Sequence, residues 1–236
     1  MKNILKVASM ALVLSLTLFG ITNKASAAKL TLYCSVEIDV CEMLEQAYEK
    51  ETGTKVAMTR ASSGETFAKI KAEASNPKGD VWFGGTGDPH LTAAQENLTE
   101  KYKSVHFNDL LPAAQNQAKN ADFKSVGIYV GALGFGYNKD LLAKKGLPAP
   151  KSWMDLTKPI YKGEIQVANP NSSGTAYTTL ATILQIFGED KGWDYMKKLH
   201  ANINTYTKSG SAPIKATGRG ENLIGICFQH DGVKQT

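Results

Sequence analysis

The sequence predicts an α/β fold made of parallel-sheet units and laid out in two halves. Short apolar runs alternate with segments whose apolar residues recur at helical spacing, the pattern of strands linked by helices in a parallel sheet. The alternation restarts after a glycine-rich apolar stretch, Val126–Tyr137. The two halves also share a local device, a Ser-Ser-Gly sequence between a strand and a helix.

In the first half, Lys29–Tyr33 (KLTLY) is expected as a strand. Asp39–Glu51 places Val40, Met43, Leu44, Ala47 and Tyr48 on one face of a helix. A strand follows at Lys55–Thr59, a helix at Thr66–Ala74, a short buried strand at Asp80–Phe83 and a helix at Asp88–Asn97. In the second half, Val126–Tyr137 supplies one or two strands crossing between the halves, and Asp140–Lys145 forms a short helix closed by Gly146. Ser152–Leu156 starts another short helix, Ile165–Ala168 is a strand, and Ala176–Phe187 and Lys191–Leu199 are helices. Leu223–Phe228 (LIGICF) is a final buried strand.

The N-terminus has the layout of a secretory leader. Lys2 and Lys6 precede an apolar run, Val7–Ile21, and Ala25-Ser26-Ala27 is a small-x-small cleavage signature, so a signal peptide is expected over 1–27 with cleavage after Ala27. A membrane anchor is the alternative, but the run is shorter than the ~20 apolar residues that span a bilayer. No cysteine lies near the cleavage point to take a lipid, and no later apolar run is long enough to span. Removing 1–27 takes away Lys2, Lys6 and Lys24 and no acid, which lowers the formal charge from +5 to +2. The remaining basic residues form no clustered run, so no nucleic-acid partner is expected.

The cysteines are Cys34, Cys41 and Cys227. An exported chain can keep disulfides, and the spacing of Cys34 and Cys41 admits a local bridge; two buried free thiols are the other possibility. Cys227 lies inside an apolar strand and suits a small core residue. No Cys-x-x-Cys or His-x-x-x-His spacing marks a zinc site.

Two loops carry the strongest functional signal. Ala61-Ser62-Ser63-Gly64-Glu65-Thr66 and Asn169-Pro170-Asn171-Ser172-Ser173-Gly174-Thr175-Ala176 each sit between a strand and a helix. A helix N-terminus leaves N–H groups unpaired and favours negative charge. Hydroxyls add donors and glycine admits close approach, so such a loop can cradle an anion. Plain N-capping also accounts for either loop alone. Both loops lie where ligands bind in open α/β sheets, beyond strand carboxyl ends. A third place, Gly84-Gly85-Thr86-Gly87, lacks the dinucleotide and P-loop patterns, and a tight turn beside the cleft fits it equally. His230-Asp231 could suggest acid–base chemistry, as in a secreted phosphatase, but no nucleophile motif or paired carboxylates accompany it. As ligand groups, His230 can donate to a phosphate and Asp231 can accept from sugar hydroxyls.

Taken together, KLTLYCSVE, GDVWFGGTGDPH, GALGFGYNKDLL, NPNSSGTAYT and IGICFQHDGVK resemble, in order and over essentially the whole mature chain, the ferric-iron-type cluster of periplasmic solute-binding proteins. The resemblance implies an α/β, two-lobed periplasmic-binding-protein fold (type II-like), with lobes at 28–126 and 127–236 that close on ligand about a hinge. It implies a monomeric periplasmic subunit of an ABC importer, without enzymatic activity or cofactor, whose partners are a small anionic ligand, a membrane permease and an ATPase. Iron binders of this family use adjacent tyrosines where this chain has His230-Asp231, a histidine near Glu37 and a carboxylate within Gly84–Thr86. Those phenolates are absent here, so the chain resembles the branch that takes sugar phosphates or other organophosphates and phosphonates, with ferric iron the alternative. The implied ligand residues are Ser35 and Glu37; Ser62, Ser63 and Gly64; Gly85 and Thr86; Ser172, Ser173, Gly174, Thr175 and Ala176; and His230 with Asp231. The Ser-Ser-Gly-Thr loop would take the phosphate. Family members continue well past the Gly-Val-Lys at 232–234, so the second lobe is expected to be incomplete.

Overall fold

The structure is a computed structural model that describes residues 29–236. The leader expected over 1–27 lies outside the described residues. Among the described residues no helix is long and apolar enough to cross a membrane.

Two separate sheets organise the chain. The first contains β1 (Lys29–Cys34), β2 (Lys55–Arg60) and β3 (Val81–Phe83) in the order β2-β1-β3, all parallel. Its crossovers are α1 (Ile38–Thr52) and α2 (Ser63–Ala72); α3 (Gly87–Gln95) and α4 (Pro112–Asn120) follow. The second sheet contains β4 (Leu133–Tyr137), β5 (Ile165–Ala168), β6 (Ile203–Thr207) and β7 (Ile224–Phe228) in the order β4-β7-β5-β6. Here β5 pairs parallel with β6 and β7, while β4 runs antiparallel to β7. Its helices are α5 (Lys139–Lys145), α6 (Gly174–Phe187), α7 (Glu189–His200), α8 (Ala212–Gly218) and α9 (Gln229–Val233).

The strand-then-helix pattern places almost every expected element. The stretch 126–137 differs: only Leu133–Tyr137 forms a strand, and 126–132 has no regular structure. Val130 is largely exposed, so that part of the apolar run buries no face that would hold it in a sheet. Ser152–Leu156 turns as a 3-10 helix over Trp153–Thr157, capped by the Ser152 hydroxyl. The helices α4, α8 and α9 and the strand β6 had no expectation.

The cores are unequal. The second sheet packs Leu156, Ile165, Ile183, Leu199, Ile224 and Ile226, all fully buried, in one cluster with Tyr161 and Tyr195. The first sheet has a small cluster of Leu32, Cys34 and Cys41, against which Leu30, Val56, Met58 and Phe83 pack. Cys34 and Cys41 are joined by a disulfide with Cα atoms 6.0 Å apart, which ties the end of β1 to the first turn of α1. A bridge there supplies what so small an apolar cluster cannot. Cys227 is free and buried, and burial first of all pushes its thiol up to about 12.

Candidate ligand-binding cleft

Each candidate residue follows the carboxyl end of a strand. Ser35 and Glu37 follow β1, Ser62–Gly64 follow β2, and Gly85 and Thr86 follow β3. On the second sheet, Ser172–Ala176 follow β5, and His230 and Asp231 follow β7. The two sets meet face to face. The Gly64 N–H donates to the Ser172 carbonyl at 3.1 Å. A Cβ on Gly64 would stand 2.6 Å from the Asn171 carbonyl oxygen, so only glycine admits this approach. A Cβ on Gly174 would collide with Thr86 Oγ1. The Ser62–Gly64, Gly85–Thr86 and Ser172–Ala176 loops therefore form one seam between the sheets.

Along that seam the expected donors divide. Ser173 is the N-cap of α6 and its Oγ accepts from the Ala176 N–H at 3.4 Å, so the Ala176 amide is occupied by the helix's own cap. The Gly64 amide is likewise committed to Ser172. Gly174 and Thr175, the first two residues of α6, keep N–H groups that no carbonyl of the helix can reach. The Ser172 hydroxyl donates to the Lys208 carbonyl at 2.9 Å, with the Asn169 carbonyl also in reach of its one proton at 3.3 Å, which closes its loop. Ser63 Oγ accepts from the Thr86 N–H at 3.2 Å. At Ser62, the backbone N–H donates to the Glu65 carboxylate at 3.3 Å, an N-terminal anchor for α2. Thr86 Oγ1 is different: it is buried, faces Gly174 and has no hydrogen-bond partner. A buried hydroxyl left unpaired costs free energy, and this one lies over the open end of α6.

Ser35 is held by the protein itself. Its hydroxyl accepts from the Trp82 indole N–H at 2.9 Å and pairs with Thr66 Oγ1 at 3.0 Å. Glu37 reaches across the cleft to form an ion pair with Lys215 of α8. Burial alone would raise its carboxyl, but hydrogen bonds from Lys215 and Ser211 outweigh that and hold it below the ordinary carboxylate value. Asp231 is buried, and that burial pushes its carboxyl up, against the pull of His230; the charge of Glu37 adds to the rise. His230 is exposed, stacks on Phe228 with ring centroids 5.6 Å apart, and has Nε2 3.7 Å from Asp231 Oδ1. The pair thus has no tight internal hydrogen bond.

Sequence reading missed part of the wall. Arg60, the last residue of β2, donates from Nε to the Val36 carbonyl at 2.9 Å and from Nη2 to Ser209 Oγ at 3.4 Å. Ser209-Gly210-Ser211 follows β6 and packs on the α6 start, where a Cβ on Gly210 would collide with Thr175 Oγ1. Tyr129, on the irregular crossover, accepts from the Gly85 N–H at 2.8 Å and donates to the Gly85 carbonyl at 2.6 Å. The first two carried a readable signal: Arg60 lies two residues before the first Ser-Ser-Gly, and Ser209–Ser211 is a third hydroxyl–glycine loop. Lys215 carried none.

A match to the bacterial extracellular solute-binding protein family spans residues 80–234. The chain belongs to that family. An uncharacterised protein of Haemophilus influenzae is 44% identical over 228 residues, which is 96% of this chain and 65% of that protein. Among solved structures, the periplasmic binding protein AfuA of Actinobacillus pleuropneumoniae, with exogenous fructose-6-phosphate bound, is 45% identical with a TM-score of 0.86. That match covers 89% of this chain and 66% of AfuA. The periplasmic binding protein P5PA is 40% identical with a TM-score of 0.85, over 88% of this chain and 66% of P5PA. The chain therefore spans about two thirds of the length of these relatives.

Proposed function

We propose that this chain captures a small phosphorylated anion, a sugar phosphate or related organophosphate or phosphonate, for import by an ABC transporter. It does so as an exported monomer in the periplasm, its leader cleaved after Ala27, and hands the ligand unchanged to a membrane permease powered by an ATPase. The observation that carries the reading is the unpaired, buried Thr86 hydroxyl set against the open N-terminus of α6. An anion oxygen at that point would satisfy Thr86 together with the free amides of Gly174 and Thr175, with the helix dipole in its favour. Asp231, His230 and Glu37 offer acceptors and a donor for the hydroxyls of an attached sugar. AfuA, with fructose-6-phosphate, supports the ligand class. The groups of the cleft have the character of ligand donors and acceptors, and binding without chemistry accounts for all of them.

Native mass spectrometry of the protein purified from its own host tests the reading. A trapped adduct with the mass of a phosphorylated small molecule is expected. A ferric ion retained in its place would overturn it.

A further inference from the structure

The turn that presents Thr86 rests on two glycines. Gly84 and Gly85 are both left-handed, with φ of 75° and 87°. A Cβ on Gly84 would collide with the Val36 side chain. Two consecutive residues in this region give glycine's freedom full play, and something must choose one conformation for them. Gly85 is held by Tyr129 on its cleft side. Gly84 is held from within the first lobe: His90, in the first turn of α3, reaches back so that its Nε2 lies 2.7 Å from the Gly84 carbonyl oxygen. A carbonyl can only accept, so Nε2 carries the proton and donates.

The His90 ring is fixed in its turn. It stacks on Trp82 with centroids 3.6 Å apart and planes 21° apart. The Trp82 indole is pinned by its N–H bond to Ser35 Oγ, and Ser35 is paired with Thr66 of α2. A connected series thus runs from α2 through Ser35, Trp82 and His90 to the Gly84 carbonyl, two residues before Thr86. Burial lowers the His90 pKa, the Gly84 bond working against it, which keeps the ring neutral near pH 7.

We infer that His90 is a positioning residue for the cleft: stacked on Trp82 and bonded to the Gly84 carbonyl, it fixes the turn that sets the Thr86 hydroxyl over the start of α6. The inference rests on the anion-binding reading of that cleft and adds to it the group that shapes its first-lobe wall. Side chains that only fill the space under the turn would be interchangeable with other rings; a positioning donor would not.

Two variants separate these roles. His90→Phe keeps an aromatic ring on Trp82 and removes the donor, and His90→Gln restores an amide N–H at comparable reach. With fructose 6-phosphate as probe, His90→Phe is expected to bind about fivefold more weakly than wild type, the worth of one neutral hydrogen bond, and His90→Gln to recover most of the loss. Hydrogen exchange at Gly85 and Thr86, measured without ligand, is expected to be about fivefold faster in His90→Phe and restored in His90→Gln. Wild-type exchange rates at those amides in His90→Phe would overturn the positioning role, whatever binds. Normal exchange differences with equal affinity of wild type and His90→Phe would overturn its bearing on the ligand. Failure of wild type to bind any phosphorylated probe would instead count against the anion-binding reading, and the exchange measurement would still decide the role of His90.

Discussion

Replacing Thr86 by valine should make the free protein more stable and a worse binder. The two side chains have nearly the same shape, so the change removes a hydroxyl and little else. In the free protein that hydroxyl is buried without a partner, a situation that costs roughly 1–3 kcal/mol. Thr86 precedes α3 as its N-cap but makes no side-chain cap bond, so none is lost. Taking the low end, about 1 kcal/mol of relief should raise the melting temperature by about 2–4 °C for a chain of this size. In the complex the same hydroxyl would bond an anion oxygen, worth about 1.5–3 kcal/mol, so affinity for fructose 6-phosphate should fall about ten- to a hundredfold. Thermal unfolding without ligand and titration calorimetry with it read the two effects separately. A lower melting temperature together with unchanged affinity would show that the hydroxyl has a structural partner and no ligand role.

Other changes probe neighbouring parts of the account. Ser173→Asp keeps a capping side chain for α6 but sets a negative charge in a buried place at the cradle; melting should fall, because a carboxylate is costly to bury, and affinity of the folded variant for a phosphorylated ligand should fall more than about tenfold, whereas equal affinity would sink the anion cradle. His90 has a folded pKa below its ordinary 6.5, so the unfolded chain binds more protons just below that pH, and stability should be full above 6.5 and decline as pH falls through the window. His90→Phe should flatten that decline, and parallel melting curves for the two proteins between about pH 7 and about pH 5 would contradict it. Reducing the Cys34–Cys41 bridge, which closes a short loop seven positions long, should cost about 2 kcal/mol of stability; peptide mapping that finds both thiols freely alkylated without reductant would show the bridge does not form.

Much of the fold was legible because the strands are apolar and the connecting helices periodic. Ile165–Ala168 matches its expected bounds, since its residues are buried or nearly so and bounded by polar loops. The helix α6 starts two residues earlier than its apolar pattern, because the Ser173 cap, which carries no apolar signal, sets its beginning. The helix α4 escaped notice: of PAAQNQAKN only Ala118 is buried, so there is no stripe to read, and Pro112 at its first turn was the one cue. The strand β6 (INTYT) is mostly exposed and polar, which hid it and with it the Ser209–Ser211 loop.

The site was legible as loops and not as contacts. Hydroxyls and glycines before helices show where a ligand can approach, but the Gly64–Ser172 bond and the Glu37–Lys215 pair join residues far apart in sequence, and no local pattern announces them. Nor can sequence separate Ser35, whose hydroxyl is consumed by Trp82 and Thr66, from Thr86, whose hydroxyl is left over. That distinction depends on which neighbours the fold supplies.

The most direct test of the central claim compares fructose 6-phosphate with fructose by calorimetry on the same protein. With the phosphate as the anchor, the phosphorylated sugar should bind and fructose should give no measurable heat of binding at the same concentrations. Fructose binding as tightly as its phosphate would contradict it.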